Sequence, residues 1–212
     1  MDKQELLESF RSRGGEVYDE AMEMLYSAED WSVLKEFKNI TTYKKSTAEG
    51  LEAFKVEGFL AKPPKEVRDF LWNYMTKLHA ELNPEIIEKS EVAKEFSDSE
   101  RVIHEVAKVP FPGVASREVL FFSSKIDFGD DNYAMLDTSV QDPDFPESQD
   151  PVRADIRFAL HLCELHEDSS THFSGVSLAD AKGSIPVSIA NFALSTRADF
   201  YDQLIQKILD SN

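Results

Sequence analysis

The sequence is poor in several features that would each place it in a particular class of protein. Among its 212 residues only Cys163 is a cysteine, so no internal disulfide can form. Eight glycines and nine prolines are too few for a collagen-like or low-complexity chain. No apolar run is long enough to span a bilayer, and the segment Met1-Asp2-Lys3-Gln4-Glu5 lacks the basic and apolar regions of a signal peptide. We therefore expect a soluble protein of the cytoplasm.

Positive charge is also scarce. Lysine and arginine total 23 against 40 aspartates and glutamates, which gives a formal net charge of −17 at pH 7. Such a surface repels phosphate backbones, so we expect no nucleic-acid partner. The same charge opposes broad electrostatic docking on an anionic membrane, and any membrane contact is expected to be transient and apolar.

Apolar and aromatic side chains are abundant. Hydrophobic residues make up 42% of the chain, with 15 phenylalanines, 6 tyrosines and 2 tryptophans. A chain of this length buries about 70% of its surface on folding, which is enough for a sizeable core. The length and composition predict one well-filled domain over residues 1–212, which the periodicity of its apolar residues makes an α+β domain, and we expect a monomer.

Hydrophobic periodicity predicts helices around a block of strands. Helical spacing from Leu6 to Leu25, interrupted by Gly14-Gly15, fits one kinked helix or two short ones. Residues 31–45 and 51–61 have the pattern of a β-hairpin, and a helix should follow from Pro64 to near Asn83.

From residue 86 to residue 180 the period falls to two, which predicts an antiparallel meander. Residues 152–162 alternate most regularly, as a strand with one buried and one wet face. A closing helix is expected to begin at Pro186, with its apolar stripe ending at Ile208.

The common enzyme signatures are absent: there is no glycine-rich phosphate loop, no G-x-S-x-G and no H-E-x-x-H. In His161-x-Cys163-x-x-His166 the last histidine points away from the other two on a strand, so a polar sheet surface is favoured over a zinc site. The acidic segment 142–147 lacks the spacing of a calcium loop and is expected to be solvated. No metal or cofactor is predicted.

Glu105 interrupts an apolar pattern. It shares a strand face with Ile103 and Ala107, and a buried carboxylate needs a cation, a donor, water or a ligand hydroxyl. The alternative places Glu105 on a wet face opposite Val102 and Val106, because a one-residue shift exchanges the two faces. Periodicity leaves both alternatives open.

Several short motifs, taken together and in order, resemble one family, the steroidogenic-acute-regulatory-protein-related lipid-transfer (START) domains. The motifs are Trp31, Thr42-Tyr43-Lys44, residues 54–58, residues 64–71, residues 109–113, residues 116–119, Thr138-Ser139-Val140, Val152-Arg153-Ala154 and residues 180–186. The resemblance implies a helix-grip fold, in which a curved antiparallel sheet wraps around the long C-terminal helix and encloses a lipid tunnel.

The resemblance also implies a set of residues that line the tunnel. In the family, the positions of Asn83, Glu105, Ser123 and Asp137 face the lipid head. Sterol-carrying members have an arginine at the position of Ser123, so Glu105 lacks that partner here, and Arg117 lies on the same strand face as Ser123. The full set of expected lipid contacts is Asn83, Glu105, Arg117, Phe121, Ser123, Tyr133, Met135, Asp137, Phe158, Leu194 and Ala198.

The function implied is the binding and transfer of one lipid, a sterol, a ceramide-like lipid or a phospholipid, without catalysis. Phe111, between Pro110 and Pro112, is expected either to contact the membrane or to pack in the core. Two alternatives are a lipid-sensing regulatory module and a helix-grip cyclase or hydrolase with His104 and Glu105 as acid and base. Adjacent strand residues point to opposite faces, which disfavours the enzyme.

Overall fold

The computed structural model describes residues 2–109, 111–183, 185 and 187–211. Pro110, Ser184 and Pro186, which belong to the motifs above, lie outside them. The helices in this part of the chain are α1 (Lys3–Tyr26), α2 (Pro64–Leu82) and α3 (Val187–Asp210), with a 3₁₀ turn at Glu167–Ser169. The strands are β1 (Ser32–Glu36), β2 (Ile40–Ser46), β3 (Glu52–Leu60), β4 (Ile87–Ser97), β5 (Glu100–Ala107), β6 (Arg117–Gly129), β7 (Asn132–Ser139), β8 (Val152–Arg153), β9 (Asp155–Leu165) and β10 (Thr171–Asp180).

The strands form one sheet in the order β1-β2-β3-β10-β9-β7-β6-β5-β4, and all neighbours in this order are antiparallel. The short strand β8 pairs with β6 in parallel. The predicted hairpin and meander are therefore both present. Pairing of β3 with β10 joins the first strands to the last, which makes the sheet continuous.

Helix α1 is continuous from Lys3 to Tyr26, so the structure contains one helix here and not two short ones. Its start is stabilised by a capping box: the Asp2 carboxylate accepts hydrogen bonds from the N–H groups of Gln4 and Glu5, and the Glu5 carboxylate accepts one from Asp2. A Cβ at Gly14 would lie 3.8 Å from Leu136 Cδ2, in ordinary contact distance. Gly14 therefore faces the sheet without breaking the helix.

Helices cover both faces of the central strands. On one face α1 packs through Val17, Ala21 and Leu25 against a cluster that includes Phe158 and Leu160. On the other face α2 and α3 enclose a second cluster with residues of β2, β3, β7, β9 and β10. Strand β9 is consequently buried on both sides from residue 158 to residue 163. The predicted wet face of this strand is wrong at His161, which lies against α3, whereas Arg153, Asp155 and Arg157 are half-buried.

The two helices over the second face begin and end near the predicted residues. Pro64 is in the first turn of α2, and α2 ends at Leu82, just before Asn83. Helix α3 starts at Val187 and buries a stripe against the sheet. That stripe consists of Leu194, Ala198, Tyr201, Leu204, Ile205 and Ile208. Within the described residues no helix has an apolar stretch long enough to cross a bilayer.

Candidate functional site

Polar side chains form a row across the inner face of the sheet, the face that α2 and α3 cover. Strand register pairs Arg101 with Ser123, and Ser123 with Asp137. Residues directly opposite on neighbouring strands share a face, so these three side chains lie side by side. All three line a small, partly open cavity of about 50 Å³. Its other lining residues are Met75, Thr76, His79, Ser90, Ile103, Glu105, Phe121 and Met135.

The cavity is much smaller than the predicted tunnel. A volume of about 50 Å³ holds one or two water molecules. Binding sites for whole organic ligands usually measure roughly 300–1,000 Å³. A larger depression of about 480 Å³ lies on the α1 face, beside the start of α1 and residues 142–144, and is not enclosed by the sheet. The inner face is therefore packed in this conformation, and a lipid would need additional space.

Glu105 lies on the buried face and has partners that the sequence did not reveal. One carboxylate oxygen, Oε2, is 2.7 Å from His79 Nδ1 and accepts a hydrogen bond of 3.0 Å from the Ser90 hydroxyl. Burial by itself raises the pKa of this carboxyl, but His79, Ser90 and the charge of Arg197 outweigh it and hold the pKa below its usual value. Glu105 is therefore an ionised group beside the cavity.

His79 could have been found from the helical pattern of α2. Met75, His79 and Leu82 recur at intervals of four and three residues, which places one polar ring on an apolar helix face. Arg117, which lies on the same strand face as Ser123, does not supply the missing cation to Glu105. Its guanidinium donates to the carbonyl oxygens of Ala115, Ala181 and Lys182, so it links two loops.

Asp137 and Ser123 face the cavity without a hydrogen-bond partner. Asp137 Oδ1 and Ser123 Oγ are buried and form no hydrogen bond of ordinary geometry with a described residue, although the neighbouring Ser123 hydroxyl and the Arg101 charge both act to lower the pKa of Asp137. Burial raises the pKa of Asp137 from 3.8 to about 6. An unsatisfied buried acceptor costs about 1–3 kcal/mol, so these atoms lower the stability of the fold until a ligand group or water pairs with them.

Arg101 supplies an unpaired donor to the same cavity. Its guanidinium carbon lies 3.8 Å from the centroid of the Trp72 ring, a close cation–π contact. Burial lowers the pKa of Arg101 below its usual value, and its Nε has no partner among the described residues. The cavity wall therefore offers a donor, a hydroxyl and an acceptor within one row of side chains.

A second buried polar contact fastens α3 to the sheet. His161 on β9 lies 2.6 Å from the Tyr201 hydroxyl, measured to Nε2. Burial lowers the pKa of His161 to about 3 and raises that of Tyr201, so both side chains are neutral near pH 7. The predicted polar sheet surface at His161 is thus an interior contact with α3. No group of three metal-ligating side chains occurs among the described residues.

The remaining predicted lipid contacts divide into three groups. Tyr133, Leu194 and Ala198 belong to the apolar cluster between the sheet, α2 and α3. Asn83 caps the end of α2, and its amide donates to the His79 carbonyl oxygen at 3.1 Å. Phe158 lies on the opposite face and packs against α1, so its placement in the tunnel wall is corrected. The regular alternation of β9 identified a buried face there, but not which helix covers it.

Phe111 lies in the β5–β6 loop against α3. Its ring meets that of Phe192 edge to face, with centroids 5.7 Å apart, and Phe192 is an exposed residue. Phe111 is half-buried. Neither predicted alternative describes this arrangement fully, because the ring rests on a helix at the surface instead of entering the core.

His104 and Glu105 do not form an acid and base pair. His104 Nε2 is 3.0 Å from Glu118 Oε2, on the opposite face of β5 from the cavity. Glu118 also forms an ion pair of 3.1 Å with Arg153. His104 and Glu105 therefore point to opposite faces of β5 and contact different residues.

An antiparallel sheet with a long C-terminal helix on its inner face defines the helix-grip class of fold. A family model described as START domain matches residues 13–208 of this chain. The chain therefore belongs to the START family, as the sequence motifs indicated. No sequence among curated proteins matches it significantly.

Solved structures show the same fold at low sequence identity. Human StAR-related lipid transfer protein 5 superposes with a TM-score of 0.78 at 15% identity, over 95% of this chain and 97% of that one. Human STARD10 gives 0.71 at 17% identity, over 99% and 80%. A STAR-related lipid transfer protein fragment from Xanthomonas axonopodis gives 0.63 at 22% identity, over 85% and 99%.

Proposed function

We propose that this START domain binds one lipid between the inner face of the sheet and α3 and transfers it between membranes in the cytoplasm. One observation carries the proposal: Arg101 Nε, Ser123 Oγ and Asp137 Oδ1 have no hydrogen-bond partner among the described residues, and all three residues line one small cavity. A core with only a structural role avoids such atoms, because each costs free energy. Family membership and the likeness to lipid transfer proteins support the same function.

Lipid binding requires α3 to move away from the sheet, because the cavity admits only a small group. The apolar stripe of α3 must leave the sheet, and the polar contacts that must break can be named. They include the His161–Tyr201 hydrogen bond and an ion pair of 2.8 Å between Lys35 and Asp199. Once α3 opens, each methylene group of the lipid that leaves water contributes about 0.8 kcal/mol. We infer that apolar burial offsets the cost of opening.

The cavity wall favours a neutral lipid head with a hydroxyl or an amide. Such a head can donate to Asp137 and accept from Arg101 at the same time. The Asp137 and Glu105 carboxylates lie beside the Arg101 and Arg197 guanidiniums, so the site offers a phosphate no net positive charge. Sterols and ceramide-like lipids are therefore favoured over phospholipids.

Phe111 and Phe192 give the proposed membrane contact. Both rings lie where the β5–β6 loop meets α3, and Phe192 is exposed. Aromatic rings suit the headgroup boundary, and two of them add apolar area without the positive charge that this acidic chain lacks. The contact would place the moving edge of α3 at the bilayer.

The test combines lipid identification with transfer. Native mass spectrometry of the purified protein should detect one bound lipid with a hydroxyl or amide head. Vesicle-to-vesicle assays with fluorescent sterol, ceramide and phosphatidylcholine should show transfer of the first two classes. Ser123→Ala should alter selectivity, whereas Ser124→Ala, one residue along the same strand, is the matched control. Specific binding without transfer would indicate a sensor, and absence of both would refute the proposal.

A further inference from the structure

One row of side chains on the α1 face lies beyond the end of α1. Strand register and hydrogen bonds align Asn132 on β7, Glu164 on β9, His172 on β10 and Phe59 on β3. At the β6 end of the row, Phe128 lies at a β-bulge directly before Gly129, the residue that pairs with Asn132. The phenylalanines at its two ends are 51% and 58% exposed, respectively. Four inter-strand spacings separate them, a span of about 19 Å.

The end of α1 adds a third exposed ring over the middle of this row. Tyr26 is 60% exposed, and its hydroxyl lies 3.4 Å from Glu164 Oε1. Phe59 is held in place, because its ring centroid is 4.7 Å from that of His166 and 5.0 Å from that of His172. Tyr26, Phe59 and Phe128 together form what we call the aromatic ledge.

Carboxylates surround the aromatic ledge. The β6–β7 and β9–β10 hairpins both bring acidic side chains to this end of the sheet. These are Asp127, Asp130, Asp131, Glu164, Glu167 and Asp168, and all except Glu164 are exposed. Glu164 also lies 3.3 Å from His172, measured from Oε2 to Nδ1. The ledge is therefore a set of positioned apolar rings within a negative field.

We propose that the aromatic ledge docks a basic segment of a partner protein whose apolar side chains alternate with lysine or arginine. The rings supply the anchoring contacts of an interface, and the carboxylates attract and orient the cationic partner. A second copy of this chain would bring the same carboxylates, and an anionic bilayer would be repelled in the same way. Charge complementarity thus selects a basic polypeptide.

The ledge and the proposed membrane contact lie at opposite ends of the strands. Phe111 precedes the first residue of β6, whereas Phe128 is next to its last residue. A partner on the ledge therefore leaves the edge of α3 free. This inference stands independently of lipid transfer, since it depends on a different surface.

The test uses a synthetic helical peptide of lysine and leucine, with a glutamate and leucine peptide of equal length as the charge control. Titration of ¹⁵N-labelled full-length protein should shift amide resonances around Tyr26, Phe59 and Phe128. The double variant Phe59→Ser, Phe128→Ser should weaken binding about tenfold or more, measured by calorimetry. Tyr74→Ser on α2, where the tyrosine is 49% exposed, is the matched control and should bind as the original chain does.

Folding of the variants is checked by urea unfolding, and lipid binding should remain unchanged. The proposal is overturned if the peptide shifts resonances elsewhere, or if the Phe59 and Phe128 changes leave affinity intact. It is also overturned if the acidic peptide binds equally well. Vesicle binding or concentration-dependent dimers that require Phe128 would assign the ledge to a membrane or to a second copy instead.

Discussion

Replacing Asp137 with asparagine should stabilise the empty protein at neutral pH and leave it unchanged in acid. The carboxyl has a pKa of about 6 in the folded protein against 3.8 for the ordinary side chain. At about 1.4 kcal/mol for each pH unit, that difference is worth about 3 kcal/mol. Asparagine keeps the shape and removes the charge, so about 3 kcal/mol is the upper limit of the gain.

The direction of this pH dependence follows from which state, folded or unfolded, binds the Asp137 proton more tightly. A carboxyl whose pKa is raised by folding keeps its proton longer in the folded state, so the free energy of unfolding falls as pH rises from about 4 to about 6. Above about pH 6 the penalty is complete and constant. The difference between Asp137→Asn and the original chain should therefore be near zero at about pH 3.5 and largest at about pH 7.5.

Urea unfolding followed by circular dichroism at both pH values measures this difference. Asp142→Asn is the matched control, because the Asp142 side chain is fully buried but lies 2.7 Å from Lys94 Nζ, and its loss should destabilise at neutral pH. Equal effects of Asp137→Asn at both pH values, or destabilisation at about pH 7.5, would refute the reasoning.

Three further changes test the contacts of the site. His79→Ala leaves a buried carboxylate without its nearest partner and should lower the free energy of unfolding by about 1–3 kcal/mol at neutral pH, less in acid, in urea titrations at both pH values. Tyr201→Phe removes the hydrogen bond to His161 and should cost about 1–2 kcal/mol by the same assay; no loss would mean that this bond does not fasten α3. Phe111→Ala with Phe192→Ala should slow lipid extraction from vesicles without changing the stability of the lipid complex, and unchanged transfer rates would exclude the proposed membrane contact.

Local patterns in the sequence predicted most of the secondary structure. Pro64 marks the start of α2, and the period of two over residues 86–180 corresponds to the meander of β4 to β10. The solvent exposure predicted for one face of β9 was wrong at His161. Periodicity shows which residues share a strand face, but not which element packs against that face. His161 is buried by α3, an element some forty residues away in sequence, and no local pattern carries that information.

The hydrogen-bond partners of the site residues were harder to predict than the strand faces on which these residues lie. Glu105 was correctly suspected of lying among apolar neighbours, but its partner His79 comes from α2, across the sheet surface. Arg117 lies two residues from Val119, the residue opposite Glu105. Its guanidinium is instead held by carbonyl oxygens of two loops, which strand alternation does not reveal. Arg101, adjacent to apolar Val102, became recognisable only when register placed it beside Ser123 and Asp137.

The small cavity and its unpaired atoms have one physical explanation, the closure of α3 onto the sheet. A permanently open lipid tunnel would leave a large apolar surface hydrated, whereas closure of α3 onto the sheet buries that surface. Closure leaves Asp137 and Arg101 in a space that admits only water, at a cost in stability. A ligand head that satisfies both groups removes this cost, so the groups that weaken the empty state favour the bound one. Stability lost at a site that serves binding is the expected trade-off, and in this row three unpaired buried atoms belong to side chains that line one cavity.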